Sequence, residues 1–182
     1  MRLVHTVDQT IALSAARRVG RRNAERVSLS TIADCVLEGF ADRLDRAGIA
    51  VRKSLDPELP EIIGDPELIE RCAANLVENA IKYAASGKML TLTTSTRRSA
   101  GMVFAELAVE DRGPGIPASE RRAVFEGFYR GDTARQSRQP GSGLGLAIVS
   151  ALVAGMEGKL DLFPAEPTGC RFRLSFPAQK AA

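Results

Sequence analysis

A chain of 182 residues, 45% hydrophobic and 26% charged, has the make-up of one ordinary soluble domain with room for a short extra segment. Its formal charge of +3 comes from 25 basic against 22 acidic residues, a mixed surface that points away from a nucleic-acid partner. Three scattered cysteines, Cys35, Cys72 and Cys170, form no Cys-x-x-Cys pair and have a single histidine for company, which argues against a zinc site and for a reduced, cytoplasmic setting.

In chain order, Leu3, Val4, Val7, Ile11 and Leu13 recur at helical spacing, which predicts a helix over residues 2–18 with one apolar face suited to a partner helix. The basic, glycine-interrupted run Arg17 to Arg26 ends it and reads as a linker, so residues 1–26 form one segment and residues 27–182 the main domain. Ser30 is the expected N-cap of a helix running to about Arg46, with Ile32, Ala33, Val36, Leu37 and Phe40 as its buried stripe. Short strands follow near Ile49 to Leu55 and Glu61 to Ile63. Asp65 and Pro66, as N-cap and first helical residue, announce a helix to about Tyr83.

Met89 to Thr94 and Val103 to Val109 alternate like half-buried antiparallel strands, with a turn at Arg97 to Gly101. An apolar helix over Leu144 to Met156 and a hairpin of Lys159 to Phe163 with Arg171 to Phe176 close the chain. The longest apolar stretch, Ala147 to Met156, falls far short of the roughly 20 residues a membrane span needs, so an anchor would lie outside this chain. Helices and strands without strict βαβ alternation imply an α/β, two-layer sandwich: a mixed, mostly antiparallel sheet with helices on one face.

Four polar runs stand out from this scaffold. In Asn75-Leu-Val-Glu-Asn79-Ala-Ile-Lys82-Tyr83, the residues Asn75, Asn79 and Lys82 share one helix face. Amide oxygens can ligate Mg²⁺ and a lysine can meet phosphate, although a solvated helix face would look the same. Glu110-Asp111-Arg-Gly113-Pro-Gly115 follows a strand: a carboxylate there can accept a hydrogen bond from an exocyclic amine, and the glycines admit a flat ligand, while Asp-x-Gly also makes ordinary turns.

Phe125-Glu126-Gly127-Phe128-Tyr129-Arg130 leads into a polar stretch carrying Arg135 and Arg138, which suits a mobile lid over a polyanion or a plain disordered loop. Gly141-Ser-Gly143-Leu144-Gly145 opens the last helix, where free backbone N–H groups favour phosphate; it is neither a Walker A loop nor a dinucleotide fingerprint.

Taken together and in this order, the runs resemble the N, first G, F and second G boxes of the sensor histidine kinase catalytic and ATP-binding domain, within the ATPase and kinase superfamily that includes gyrase, Hsp90 and MutL. The resemblance covers about Val27 to Pro177 and implies the Bergerat fold, with ATP and Mg²⁺ as cofactors. It implies that Asn79 with Asn75 holds Mg²⁺, that Lys82 meets the phosphates, that Tyr83 lies against the nucleoside and that Asp111 reads the adenine amine. Gly113 and Gly115 would shape the adenine pocket, while Gly141, Gly143, Leu144 and Gly145 would line the phosphate end. Phe125 and Phe128 would anchor the lid, and Arg130 would join Lys82 in catalysis. Family sequences often have Pro where this chain has Gly127, so a looser lid hinge is expected.

Hydrolytic relatives carry Glu where this chain has Asn75, and an amide cannot serve as a general base. The site should therefore shield ATP from water and present its γ-phosphate to a nucleophile from elsewhere. Glu78 is turned away from Asn79 by about 100° on the helix. The single histidine, His5, lacks the acidic neighbour of a phosphoacceptor, and residues 2–18 look like the second helix of the family's dimerising hairpin. The resemblance thus implies transfer to a histidine on a helical hairpin outside this chain, then to a response regulator, with a homodimer formed through the hairpin in the full-length protein. The alternative is a nucleotide-binding regulatory module that uses ATP for lid closure and partner docking. A purely structural domain would require four coincident runs.

Overall fold

The computed structural model describes residues 23–83, 87–129 and 142–178. The expected N-terminal helix with His5 lies outside the described residues, as do Arg130, Arg135, Arg138 and Gly141.

The chain enters through strand β1 (Glu25–Val27), so Glu25 and Arg26, expected in the linker, already pair with β3 (Ile62–Gly64) in an antiparallel two-stranded sheet. Helix α1 (Leu29–Arg46) follows directly. Its N-cap is Ser28, whose hydroxyl accepts from Thr31 N at 3.3 Å, and not Ser30 as the sequence suggested. Ser30 Oγ instead meets Thr94 Oγ1 at 2.9 Å and donates to Asp56 O at 2.8 Å, tying α1 to the sheet through a part-buried polar node. The stripe Ile32, Ala33, Val36 is buried, whereas Leu37 and Phe40 only border the core.

The helix ends in a Schellman motif. Gly48 takes φ +63, its N–H bonds Asp45 O at 2.8 Å and Ile49 N bonds Leu44 O at 2.9 Å, and both apolar partners are buried. Strand β2 (Ala50–Ser54) then runs parallel to β4 (Met89–Ser99) at the edge of the main sheet.

Helix α2 (Pro66–Tyr83) is capped by Asp65, whose Oδ1 accepts from Glu67 N at 3.1 Å and Leu68 N at 3.2 Å. Ile69, Cys72, Ala73, Leu76, Val77 and Ala80 recur every three to four residues and are all buried, which fixes the face that meets the sheet. That leaves Asn75 and Asn79 half-buried at its margin.

The main sheet has the order β2-β4-β5-β7-β6, with β5 (Met102–Asp111), β6 (Lys159–Pro164) and β7 (Cys170–Pro177), all pairs but β2 with β4 being antiparallel. Strands β4 and β5 run on to a turn at Ala100 and Gly101, both at positive φ, so Arg97 to Ser99, expected in the turn, extend the ladder. Alternation sorts the two faces. Leu90, Leu92, Leu107, Val109, Phe172, Leu174 and Phe176 meet α1, α2 and α3 (Gly145–Gly155) in one core. The opposite face carries Arg97, Glu106, Glu110, Arg171 and Arg173; the buried Glu106 is satisfied there by Arg97 Nε at 2.6 Å and Ser175 Oγ at 3.0 Å. This is the expected two-layer sandwich. No described helix is long and apolar enough to cross a membrane.

Candidate functional site

The margin of α2 and the start of α3 meet where α3 has no side chain. A Cβ built on Gly145 would stand 3.4 Å from Asn75 Oδ1 and 4.0 Å from Asn79 Oδ1. Two amide oxygens one helical turn apart therefore converge on the first residue of α3. The orientation of Asn75 follows from its neighbour: Nδ2 donates to Arg71 O at 2.8 Å, and a carbonyl acceptor demands the NH₂ end of the amide, which turns Oδ1 toward Gly145. No side chain caps α3, so the first-turn N–H groups at the positive end of its dipole suit an anion. Among the described residues no cluster of His, Cys, Asp or Glu offers a metal site. Two neutral oxygens beside an anion-binding helix start fit Mg²⁺, which takes few protein ligands and keeps waters and phosphates in its shell.

The loop before α3 is held by the segment expected to anchor the lid. Gly143 takes φ +71, and a Cβ there would stand 2.6 Å from Tyr129 O and 2.8 Å from Phe128 C, so only glycine permits the approach. Phe128 N donates to Gly143 O at 3.1 Å. Phe128 itself takes φ +67 with 62% of its surface exposed, a left-handed conformation that costs a non-glycine residue about 1–2 kcal/mol. Gly127, where the sequence placed a loose hinge, does not share that conformation, and the left-handed turn falls on the next residue. Leu144 is buried beneath the loop, while Phe125 packs against the core.

At the end of β5, alternation puts Asp111 on the same side of the sheet as Leu107 and Val109, the side that the helices cover. Its Oδ1 accepts from Gly113 N at 2.8 Å and from Cys170 N at 3.4 Å, so both backbone donors fall on one of the two carboxylate oxygens. Burial is the largest influence on this carboxyl and raises its pKa above the ordinary value, outweighing the two backbone N–H groups.

The turn that follows Asp111 is clamped on both sides. A Cβ on Gly87 would collide with Arg112 O, and one on Gly169 (φ +118) would collide with Asp111 O. Gly115 (φ +80) faces Gly169 O, 3.2 Å from a built Cβ, and Gly113 is buried. Sequence reasoning said nothing of Gly87 and Gly169 and noted Cys170 only as one of three scattered cysteines; the only signal was a glycine one or two residues before each of two strands.

Lys82 Nζ pairs with Glu78 Oε1 at 3.2 Å, and Arg43 Nη2 reaches the same oxygen at 3.4 Å from α1. Burial would raise the pKa of Glu78, but Lys82 and then Arg43 outweigh it and hold the carboxyl below its ordinary value. Tyr83 is half-buried at the last position of α2.

Residues 64–180 match the family model described as histidine kinase-, DNA gyrase B-, and HSP90-like ATPase. The chain is 37% identical over 178 residues, 97% of its length, to the sensor-like histidine kinase SenX3 of Mycobacterium tuberculosis, and spans 42% of that protein. Among solved structures, full-length ShkA in complex with AMPPNP superposes with a TM-score of 0.79 at 27% identity, over 100% of this chain and 37% of that one. The mycobacterial sensor histidine kinase MprB superposes with a TM-score of 0.68 at 31% identity, over 86% of this chain and 98% of that one.

Proposed function

The chain belongs to the histidine kinase-, DNA gyrase B- and HSP90-like ATPase family, and on that premise we propose that it is the ATP·Mg²⁺-binding catalytic part of a sensor histidine kinase, which donates the γ-phosphoryl group to a histidine outside this chain. The observation that carries this reading is the convergence of Asn75 Oδ1 and Asn79 Oδ1 on the uncapped start of α3. With a half-buried carboxylate at the end of β5 suited to an amine, these are the two ends a nucleotide requires. SenX3 and MprB, both named histidine kinases, give the family context.

In this reading Asp111 accepts from the adenine amine, Gly113 and Gly115 admit the ring, and Tyr83 lies against the nucleoside. Asn75 and Asn79 would hold Mg²⁺, whose part is to neutralise charge on the phosphate oxygens. Gly143 and Gly145 present N–H groups to the phosphates, the Leu144 N–H donating to Ser142 Oγ at 3.3 Å and leaving it only if phosphate takes its place, with Lys82 and Arg130 completing the positive field; Arg130 and Gly141 lie outside the described residues. Asn75 cannot deprotonate water and Glu78 is engaged by two cations, so no side chain described beside the phosphates is placed to drive hydrolysis. The bond from phosphorus to the ADP oxygen breaks as one to an imidazole nitrogen forms, and the imidazole proton leaves to solvent or to a base beside the acceptor. A dimerising, histidine-bearing hairpin and a response regulator are the implied partners.

The test mixes the chain with the histidine-bearing hairpin of its own full-length protein and γ-labelled ATP. The expected product is acid-labile, base-stable label on the hairpin, formed slowly because the tether that raises effective concentration is missing. Tight ATP binding with no transfer would favour the regulatory module, in which ATP only closes the lid and docks a partner.

A further inference from the structure

Glu78 has no part in the site as described, yet it lies next to Asn79 and takes hold of the one lysine assigned to phosphate. Both cations that reach it end on a single oxygen: Lys82 Nζ at 3.2 Å from one turn further along α2, and Arg43 Nη2 at 3.4 Å from α1. Neither end of the lysine pair is free in solvent, with 29% of the Lys82 side chain and 37% of the Glu78 side chain exposed. Arg43 is held from behind by the ring of Phe40, 4.9 Å from its guanidinium carbon.

We propose that Glu78 is a positioning residue that holds the Lys82 ammonium away from the nucleotide until phosphate displaces it, with Arg43 setting how firmly it does so. This rests on the assignment of Lys82 to phosphate made above. An i,i+4 ion pair on a helix shifts an equilibrium by only about twofold, so a polyphosphate can take the lysine over, but the exchange still lowers affinity by that factor. The four-carbon stem of lysine can swing between the two partners, as a guanidinium fork on the same helix could not without losing its geometry. Because Arg43 shares the oxygen that Lys82 uses, it weakens the hold on Lys82. A residue on α1 thereby tunes a group on α2 that faces the ligand.

The proposal is read from a double-mutant cycle with ATP and adenosine as ligands, each variant first checked for an unchanged melt. Glu78→Gln should bind ATP about twofold to threefold more tightly, as expected for releasing such a pair, with adenosine unchanged. Arg43→Gln should weaken ATP by about twofold, again the scale of one ion pair, and have no effect once Glu78 is Gln. In the Lys82→Met background the gain from Glu78→Gln should vanish. A gain that persists there would mean that the carboxylate repels phosphate directly, and a loss in Glu78→Gln would mean that it supports the bound lysine; either overturns the latch. If Lys82→Met leaves ATP affinity unchanged, the phosphate assignment fails first and the latch with it.

Discussion

Cys170 donates its backbone N–H to Asp111 Oδ1 at 3.4 Å, which ties the start of β7 to the carboxylate at the end of β5. Gly169, the residue before it, touches the carbonyl of Asp111 so closely that any side chain would collide. The pair holds Asp111 from behind. Gly169→Ala, which adds a Cβ at φ +118 as well, should cost about 2 kcal/mol or more in stability. ATP affinity should fall further than the melting temperature alone accounts for. Thermal melts with calorimetry at a temperature where the variant is folded separate the two losses.

The raised pKa of Asp111 has a consequence of known sign. Its folded pKa lies above its unfolded one, so the fold is favoured below the ordinary carboxylate range and loses that contribution as pH rises through the folded value. Asp111→Asn, which can still accept from Gly113 and Cys170, should therefore melt at or above the wild type at pH 7 without ligand. Its lead should shrink as pH falls toward the ordinary value of 3.8. The same variant should lose ATP. Melting curves across pH, without nucleotide, check the prediction; a lead that grows toward acid would contradict it.

Gly145→Ala tests the convergence at α3 without disturbing the core. The new Cβ would sit at ordinary contact distance from Asn75 Oδ1, 3.4 Å, and alanine is the better helix former by about 0.5–1 kcal/mol. The unliganded protein should keep or gain stability while ATP affinity in magnesium drops about tenfold, the cost of losing an ion contact worth roughly 1.4 kcal/mol. Asn79→Ala should weaken ATP much more in magnesium than in a chelator, and equal losses in both would refute the metal assignment.

Much of this was legible because the information is local. The period of α2, its Asp65 and Pro66 start and the alternation of β4 and β5 follow from a few adjacent residues, and the four polar runs are contiguous. Strand β1 escaped notice because three residues show no alternation. Ser30 resembled a cap, but its hydroxyl serves Thr94 and Asp56, which only the folded chain brings near. Gly87 and Gly169 were illegible for the same reason. Their need to lack a side chain comes from backbone more than twenty residues away, and no local pattern encodes that approach. The left-handed turn fell on Phe128 and not on the adjacent Gly127, since it is the contact with Gly143 that sets the backbone there.

The claim underlying the whole account is that Asp111, the margin of α2 and the start of α3 form one site for ATP with magnesium. Titration calorimetry of the wild type and of Asp111→Ala with ATP, ADP and GTP, in magnesium and in chelator, tests it most directly. The account predicts saturable ATP binding that weakens in chelator, much weaker GTP because guanine offers an oxygen where adenine offers its amine, and loss of most ATP and ADP affinity in Asp111→Ala at a temperature where the variant is folded. ATP affinity that is indifferent to both the substitution and the metal, in a folded protein, would contradict it.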